Sequence, residues 1–318
     1  MAKVYLDEND DLIDIRHDNV FKAVFTRNTP ASQGALSRLI SALICKEVLV
    51  TTIVTNEPPI DNIRDRQIRF DINCRAKNGE LINVEMSFDP VPLEPIRLEF
   101  HIAKLFIGQD IKGKNKSYKD LKEAYQITIL ARHNFFPDDI FLHTFEYVDK
   151  KHGIPLNGRS RIITMELSKL DNIVEKPVSG MNLQEYWAVY FRYLTDKDKR
   201  QKVNEIMEHE EGIAMANEVL MEISKDEIER ARLFSEEKYE LDTQSRITYA
   251  REQGLQEGLE KGLIEGLDKG RVNGLEEGLE KGARQEKLLS AANLKKLGVS
   301  TDIISQATGL SIEEIEKL

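Results

Sequence analysis

Val20, Phe21, Val24 and Phe25 recur at the spacing that puts apolar side chains on one side of a helix. Asp18, just ahead of them, is a good N-cap. The spacing predicts a short helix there and a second over residues 30–46. Three strand-like runs follow. Residues 48–56 are rich in β-branched side chains and stop at Pro58-Pro59, while 66–75 and 80–88 alternate about Lys77-Asn78-Gly79. After the Pro90, Pro92 and Pro95 punctuation, 96–110 reads as a helix, a lysine-bearing loop surrounds Gly113, and 125–131 is an apolar run of strand length. Residues 140–148 and 161–167 are further strand candidates that extend the sheet or cap its edge. The order helix, three strands, helix, strand predicts an α/β fold with a central sheet.

From residue 171 the pattern turns helical, with Tyr186, Trp187, Tyr190, Phe191 and Tyr193 crowded into one segment and a Glu-rich helix after Ile206. A repeat then begins: Gly254, Gly258, Gly262, Gly266, Gly270, Gly274, Gly278 and Gly282, with Leu following most of them. Four residues advance a helix by about 400°, so the glycine stripe drifts by about 40° per repeat and winds round the axis. Each glycine disfavours helix by about 1 kcal/mol relative to alanine. The repeat is therefore either a helix whose backbone a partner approaches closely or a charged tether. Short helices broken at Leu297-Gly298-Val299-Ser300 and Thr308-Gly309-Leu310-Ser311 close the chain. The expected division is an α/β core over 1–170, a helical region over 171–251, the repeat over 252–284 and a small helical segment over 285–318.

Composition narrows the function classes. A chain of 318 residues with 41% hydrophobic content can bury a substantial core. Cys45 and Cys74 cannot make a disulfide framework and fit a reducing compartment. The first ten residues carry no apolar signal core and no run approaches the roughly 20 apolar residues needed to span a bilayer, so the expected location is cytoplasmic, with no membrane partner. Acids and bases balance over 1–170, which leaves the whole net charge of −10 on 171–318. That balance counts against strong nonspecific DNA binding and leaves only local basic patches for it.

The candidate chemistry lies on the hairpin, where Asp71 and Glu85 put one carboxylate on each strand. Two such acids on one face can hold a hard divalent cation against a phosphate. Asn78-Gly79 as a two-residue turn pairs Asp71 with Met86 and sends Glu85 to the opposite face. A three-residue loop, with Gly79 left-handed, pairs Ala76 with Glu80 and sets Asp71 opposite Glu85. The plain alternative is two solvated acids on a half-exposed hairpin. On the next helix Arg97, His101 and Lys104 share a face opposite Phe100, Ala103 and Ile107, which fits either a site-facing Lys104 or an ordinary solvent face. Lys112, Lys114, Lys116, Lys119 and Lys122 form the densest basic stretch, read as a phosphate contact or a solvated loop. The last helices have no basic face, so protein contact is preferred there over DNA.

Asp18-Asn-Val-Phe-Lys-Ala-Val-Phe25, Phe70-Asp71, Asn83-Val-Glu85-Met-Ser87, Arg97 with Lys104 and Gln109, Tyr118-Lys-Asp-Leu-Lys122, Met165-Glu-Leu-Ser-Lys169 and the Gly-every-fourth tail together resemble the Rpn family, the recombination-promoting nucleases also called PD-(D/E)XK nuclease family transposases. The resemblance covers most of the chain. It implies a restriction-endonuclease-like αβββαβ core with a mixed sheet, followed by a helical C-terminal region, and Mg²⁺-dependent cleavage of DNA, with Mn²⁺ as a possible substitute. It assigns metal binding to Asp71 and Glu85, and places Ser87 where the superfamily has a Lys, or this family often a Gln, that positions water. Ser87 departs from that pattern, being short and uncharged, and Phe70 stands where a Pro often precedes the first acid. Lys104 is the candidate replacement cation. Asp18, Arg97, Gln109, Lys112, Lys114 and Lys116 are second-rank or DNA-binding candidates. The expected partners are DNA and further copies of the chain through the repeat. The alternative is a catalytically weakened homologue that acts as an interaction or regulatory protein through its tail.

Overall fold

The computed structural model describes residues 5–54, 72–88, 93–109, 111, 117–132 and 134–318, with the side chains of 236–246 left out. Helices α1 (Asp18–Thr26) and α2 (Pro30–Ile44) precede strands β1 (Val50–Val54), β2 (Ile72–Ala76) and β3 (Leu81–Ser87). Helix α3 (Glu94–Ile107) then crosses to β4 (Ala124–Leu130), and β5 (Leu142–Phe145) and β6 (Ser160–Glu166) complete the sheet. The αβββαβ order is the one expected. The six strands lie in the order β1-β2-β3-β4-β6-β5. Strands β1, β2 and β3 form an antiparallel meander, β4 and β6 run parallel to β3, and β5 closes the far edge antiparallel to β6. The sheet is therefore mixed, and β6 slots between β4 and β5. The two late strand candidates both extend the sheet.

The hairpin takes the three-residue loop. Gly79 has φ +93°, a left-handed conformation that a side chain would strain. The amide of Ala76 donates to the Glu80 carbonyl at 3.0 Å, and Gly79 donates to the Ala76 carbonyl at 2.9 Å. The ladder follows with Arg75 opposite Leu81, Cys74 opposite Ile82, Asn73 opposite Asn83 and Ile72 opposite Val84. The two-residue turn is thereby excluded.

One face of this sheet is apolar. Ile72, Cys74, Ile82, Val84, Met86, Ile127, Ile129, Ile163 and Met165 lie there in one core with α1, α2 and the later helices α4 (Asp171–Val174), α5 (Leu183–Tyr193), α6 (Arg200–His209) and α7 (Glu211–Lys225). Phe21, Phe25, Trp187, Tyr190 and Phe191 are all buried in that one core. The aromatic segment after residue 170 thus shares the core of the α/β domain, and the first compact unit runs from Met1 to Tyr239. Burial pushes the Cys74 thiol up to about 12, while Cys45, the left-handed C-cap of α2, is exposed. Only one of the two cysteines is thus a buried apolar residue.

The other face carries α3, and there buried Asn83, Glu85, Gln126, Thr128 and Thr164 lie beside an apolar patch of Leu81, Ala124 and Ile162. Polar residues of α3 consequently turn inward: Glu94 and His101 are buried together with Leu98, Ile102 and Leu105. Phe100 and Ile107 are exposed, at 51% and 71%. The reading of Arg97, His101 and Lys104 as a solvent face is corrected for the first two, because buried polar groups on the sheet draw polar partners from the helix.

The second unit, Glu240–Leu318, holds the C-terminal part of α8 (Glu227–Lys296) with α9 (Thr301–Thr308) and α10 (Ile312–Glu316). The glycine repeat is helical. Gly298 and Gly309, at φ +78° and +73°, break the chain where the sequence predicts. Ser311 makes a capping box with Glu314, and Ala291, Ile304, Leu310 and Ile315 form a small core.

Candidate active site

Side chains of a strand alternate faces, so Asn83, Glu85 and Ser87 share the α3 side of β3. Parallel pairing sets Gln126 beside Asn83 and Thr128 beside Glu85 on β4, and Thr164 follows on β6. Glu85, Asn83, Gln126, Thr128 and Thr164 are all buried. Buried polar groups need partners, and most of these find one another. The Asn83 amide donates to Gln126 Oε1 at 2.8 Å. Gln126 Nε2 donates to Glu85 Oε2 at 3.2 Å and to Thr128 Oγ1 at 3.0 Å.

Helix α3 supplies the countercharge. Arg97 donates to Glu85 Oε1 and also pairs with Glu94, whose carboxylate is buried in the first turn of the helix. His101 Nδ1 lies 3.6 Å from Glu85 Oε2. Burial is the largest single influence on the Glu85 carboxyl and would raise its pKa. The nearby His101 imidazole and the Arg97 charge together outweigh it and hold the group below the usual carboxylate range. Arg97 is in turn raised; burial alone would lower it, and its bonds to Glu94 and Glu85 prevail. The result is an ionised, well-oriented carboxylate beneath a helix.

Glu85 is thus buried and held by side chains, which removes the plain alternative of a solvated acid. Asp71, Lys112, Lys114 and Lys116 lie outside the described residues. Ser87, half-buried, ends β3 on the Glu85 face. Lys104 is exposed on α3, one turn beyond His101. Asp18 is the first helical residue of α1 and not its N-cap, which is His17; its Oδ2 accepts from Lys22 at 2.7 Å. The amide of Gln109 bridges both backbone groups of Lys122, at 2.7 and 3.0 Å, and so ties the end of α3 to the approach of β4. Glu166 and Lys169 form a buried ion pair at 2.5 Å that anchors β6 to the Asp138 loop.

The sequence reading does not single out Gln126, Thr128 or Glu94, and it places His101 only on a shared face of α3. The signal for two of them was present: Gln126 and Thr128 occupy every second position of an otherwise apolar strand.

An αβββαβ core with a buried glutamate on the second hairpin strand defines a restriction-endonuclease-like α/β protein. A family profile described as PD-(D/E)XK nuclease family transposase matches residues 15–250, and the chain belongs to that family. Its members are nuclease-like, and PD-(D/E)XK nucleases generally use divalent metal ions. No curated protein and no solved structure shows significant similarity to the chain. No helix among the described residues is long and apolar enough to cross a membrane.

Proposed function

We propose that this chain is a Mg²⁺-dependent DNA endonuclease of the recombination-promoting type, able to use Mn²⁺, in which Asp71 and Glu85 hold the metal. The observation that carries the reading is the hairpin register. Ile72 opposite Val84 is the pairing that two acids at positions 71 and 85 need in order to share a face. Glu85 fits a hard cation, since it offers ionised carboxylate oxygens in a buried polar cluster. Among the described residues no group of three or more His, Cys, Asp or Glu side chains could hold a metal ion, and Asp71, outside them, is the second ligand of this reading. A cation held there would polarise the scissile phosphate and acidify a bound water.

The remaining residues divide the work. Gln126 and His101 orient Glu85. Ser87 sits where a cation or amide would position water; it is short and neutral, so the reaction is slow. Lys104 is the second candidate for that charge. Lys112, Lys114 and Lys116 contact the DNA backbone, with Asp18 and Gln109 in supporting places. Nicking of supercoiled plasmid is expected with Mg²⁺, to stop in EDTA, and to accelerate in Ser87→Lys. Cleavage that persists in EDTA would overturn the reading.

The tail supports a second reading, of an interaction protein built on a weakened nuclease. Leu255, Leu259, Leu263, Leu267, Leu275 and Leu279 are each about two-thirds exposed, and a Cβ added at any glycine from Gly254 to Gly282 would meet nothing within 4 Å. Among the described residues no backbone or side chain packs on these glycines, and the Lys269–Glu265 and Lys281–Glu277 pairs offset only a small part of eight helix-disfavouring residues at about 1 kcal/mol each. A second copy packed on the repeat supplies that compensation through close contact and leucine burial. Deleting residues 252–318 is expected to lower the oligomeric state seen by light scattering and to leave nicking by the core detectable. Monomers before and after deletion, across micromolar concentrations, would make the repeat a solitary helix or tether.

A further inference from the structure

Among the described residues Arg97 is the guanidinium that donates to Glu85, and its bonding is lopsided. Its guanidinium donates to Glu94 through two nitrogens, with Nε 3.3 Å from Oε2, and to Glu85 through one. Glu94 is 1% exposed and Glu85 6%, whereas the Arg97 side chain retains 35% of its exposure. The two carboxylates are thus fixed in the interior and the arginine alone has a way toward solvent. Both oxygens of Glu85 are engaged, Oε1 by Arg97 and Oε2 by Gln126. A divalent cation therefore finds a partner already seated on Oε1.

We propose that Arg97 is the resident counterion of Glu85, a latch that must release Glu85 before a divalent cation can bind it, and that Glu94 is the anchor that keeps the released guanidinium beside the site. The proposal rests on the reading of Glu85 as a metal ligand. Without a cation, Glu85 and Glu94 would be two like charges buried close to one arginine's reach, a costly arrangement that Arg97 neutralises. When the cation takes over Oε1, the single bond from Arg97 to Glu85 is lost and the two to Glu94 remain. Gln126 holds Oε2 through the exchange, so the carboxylate does not swing away with the arginine. The freed edge of the guanidinium is a planar donor suited to a phosphate oxygen. That gives the site a cation of its own in place of the one Ser87 lacks. Metal and DNA binding are then coupled through one side chain.

The test is Mn²⁺ binding to the full-length protein by titration calorimetry, with Mn²⁺-induced stabilisation in thermal melts as a second readout. Wild type, Arg97→Gln, Arg97→Lys and Glu85→Gln are compared. Removing the competing charge is expected to tighten Mn²⁺ binding about tenfold or more in Arg97→Gln. The same variant should melt lower without metal and recover a larger shift with it. Arg97→Lys, which keeps the charge and loses the fork, should fall between, and it carries the test if Arg97→Gln does not fold. DNA binding measured in Ca²⁺ should weaken in Arg97→Gln. Unchanged or weaker Mn²⁺ binding in both Arg97 variants, with binding lost in Glu85→Gln, would show that Arg97 merely orients Glu85 and would overturn the latch. If Glu85→Gln binds Mn²⁺ as wild type does, the metal-ligand reading fails and the latch with it.

Discussion

Trp187→Ala is expected to destabilise the first unit by about 3–5 kcal/mol, the range for removing a large aromatic side chain from a packed core. Trp187 is fully buried, and its ring lies 5.6 Å from Phe191, 6.1 Å from Phe25 and 6.1 Å from Tyr190 between centroids. Those rings come from α1 and α5, two helices far apart in the chain, so the cavity would open where the early and late segments meet. Its neighbours are themselves large and interlocked and leave little scope for collapse. For a unit of this size each kcal/mol lowers the melting temperature by about 2–4 °C, so a loss on the order of 10 °C is predicted. Trp187 Nε1 is buried with no hydrogen-bond partner among the described residues, so Trp187→Phe keeps the ring and removes only an unsatisfied donor. That variant should be far milder. Circular dichroism is the probe, since Trp187 is the chain's only tryptophan. A Trp187→Ala protein melting within about 2 °C of wild type would contradict this packing.

Glu85→Gln is expected to reduce metal-dependent nicking about a thousandfold, equivalent to the several kcal/mol of charge stabilisation that a bound cation provides. The substitution keeps the shape of the side chain and leaves Arg97 with Glu94, so the fold should survive. Its effect on stability should depend on pH in a definite sense. The folded-state pKa of Glu85 is lowered, because the nearby His101 imidazole and the Arg97 charge outweigh burial. Its contribution is therefore complete above the unfolded-state pKa and disappears as the pH falls through the depressed folded value. The stability gap between wild type and Glu85→Gln should accordingly narrow on acidification from neutral pH. A gap that widens in acid would mean that Glu85 is not held as an ionised carboxylate.

The hairpin was legible because Lys77-Asn78-Gly79 allows few loops and the two-acid pattern separates them. The residues leave both registers open, and the Ala76–Glu80 pairing in the structure settles it for every side chain along the ladder. The buried partners of Glu85 were harder to see. Gln126 and Thr128 interrupt β4 at alternate positions, yet the strand is buried on both faces and reads as one apolar run, so polarity looked incidental. The inward turn of Arg97 and His101 was not legible either, since helical periodicity separates two faces of α3 without saying which meets the sheet. Only the polar sheet surface decides that. In the same way, the aromatic segment around Trp187 announced a helix but not its partner, because its contacts with Phe25 span most of the domain. The C-terminal breaks at Gly298 and Gly309 were legible from local turn chemistry alone.

The central claim is that Asp71 and Glu85 form one metal site, and the most direct measurement is the plasmid-nicking rate in Mg²⁺ of wild type, Asp71→Ala, Glu85→Gln and the double variant. Two ligands of one cation act as a unit, so their losses do not add. Each single variant is expected to fall nearly as low as the double one; an Asp71→Ala protein that nicks at the wild-type rate would contradict a shared site.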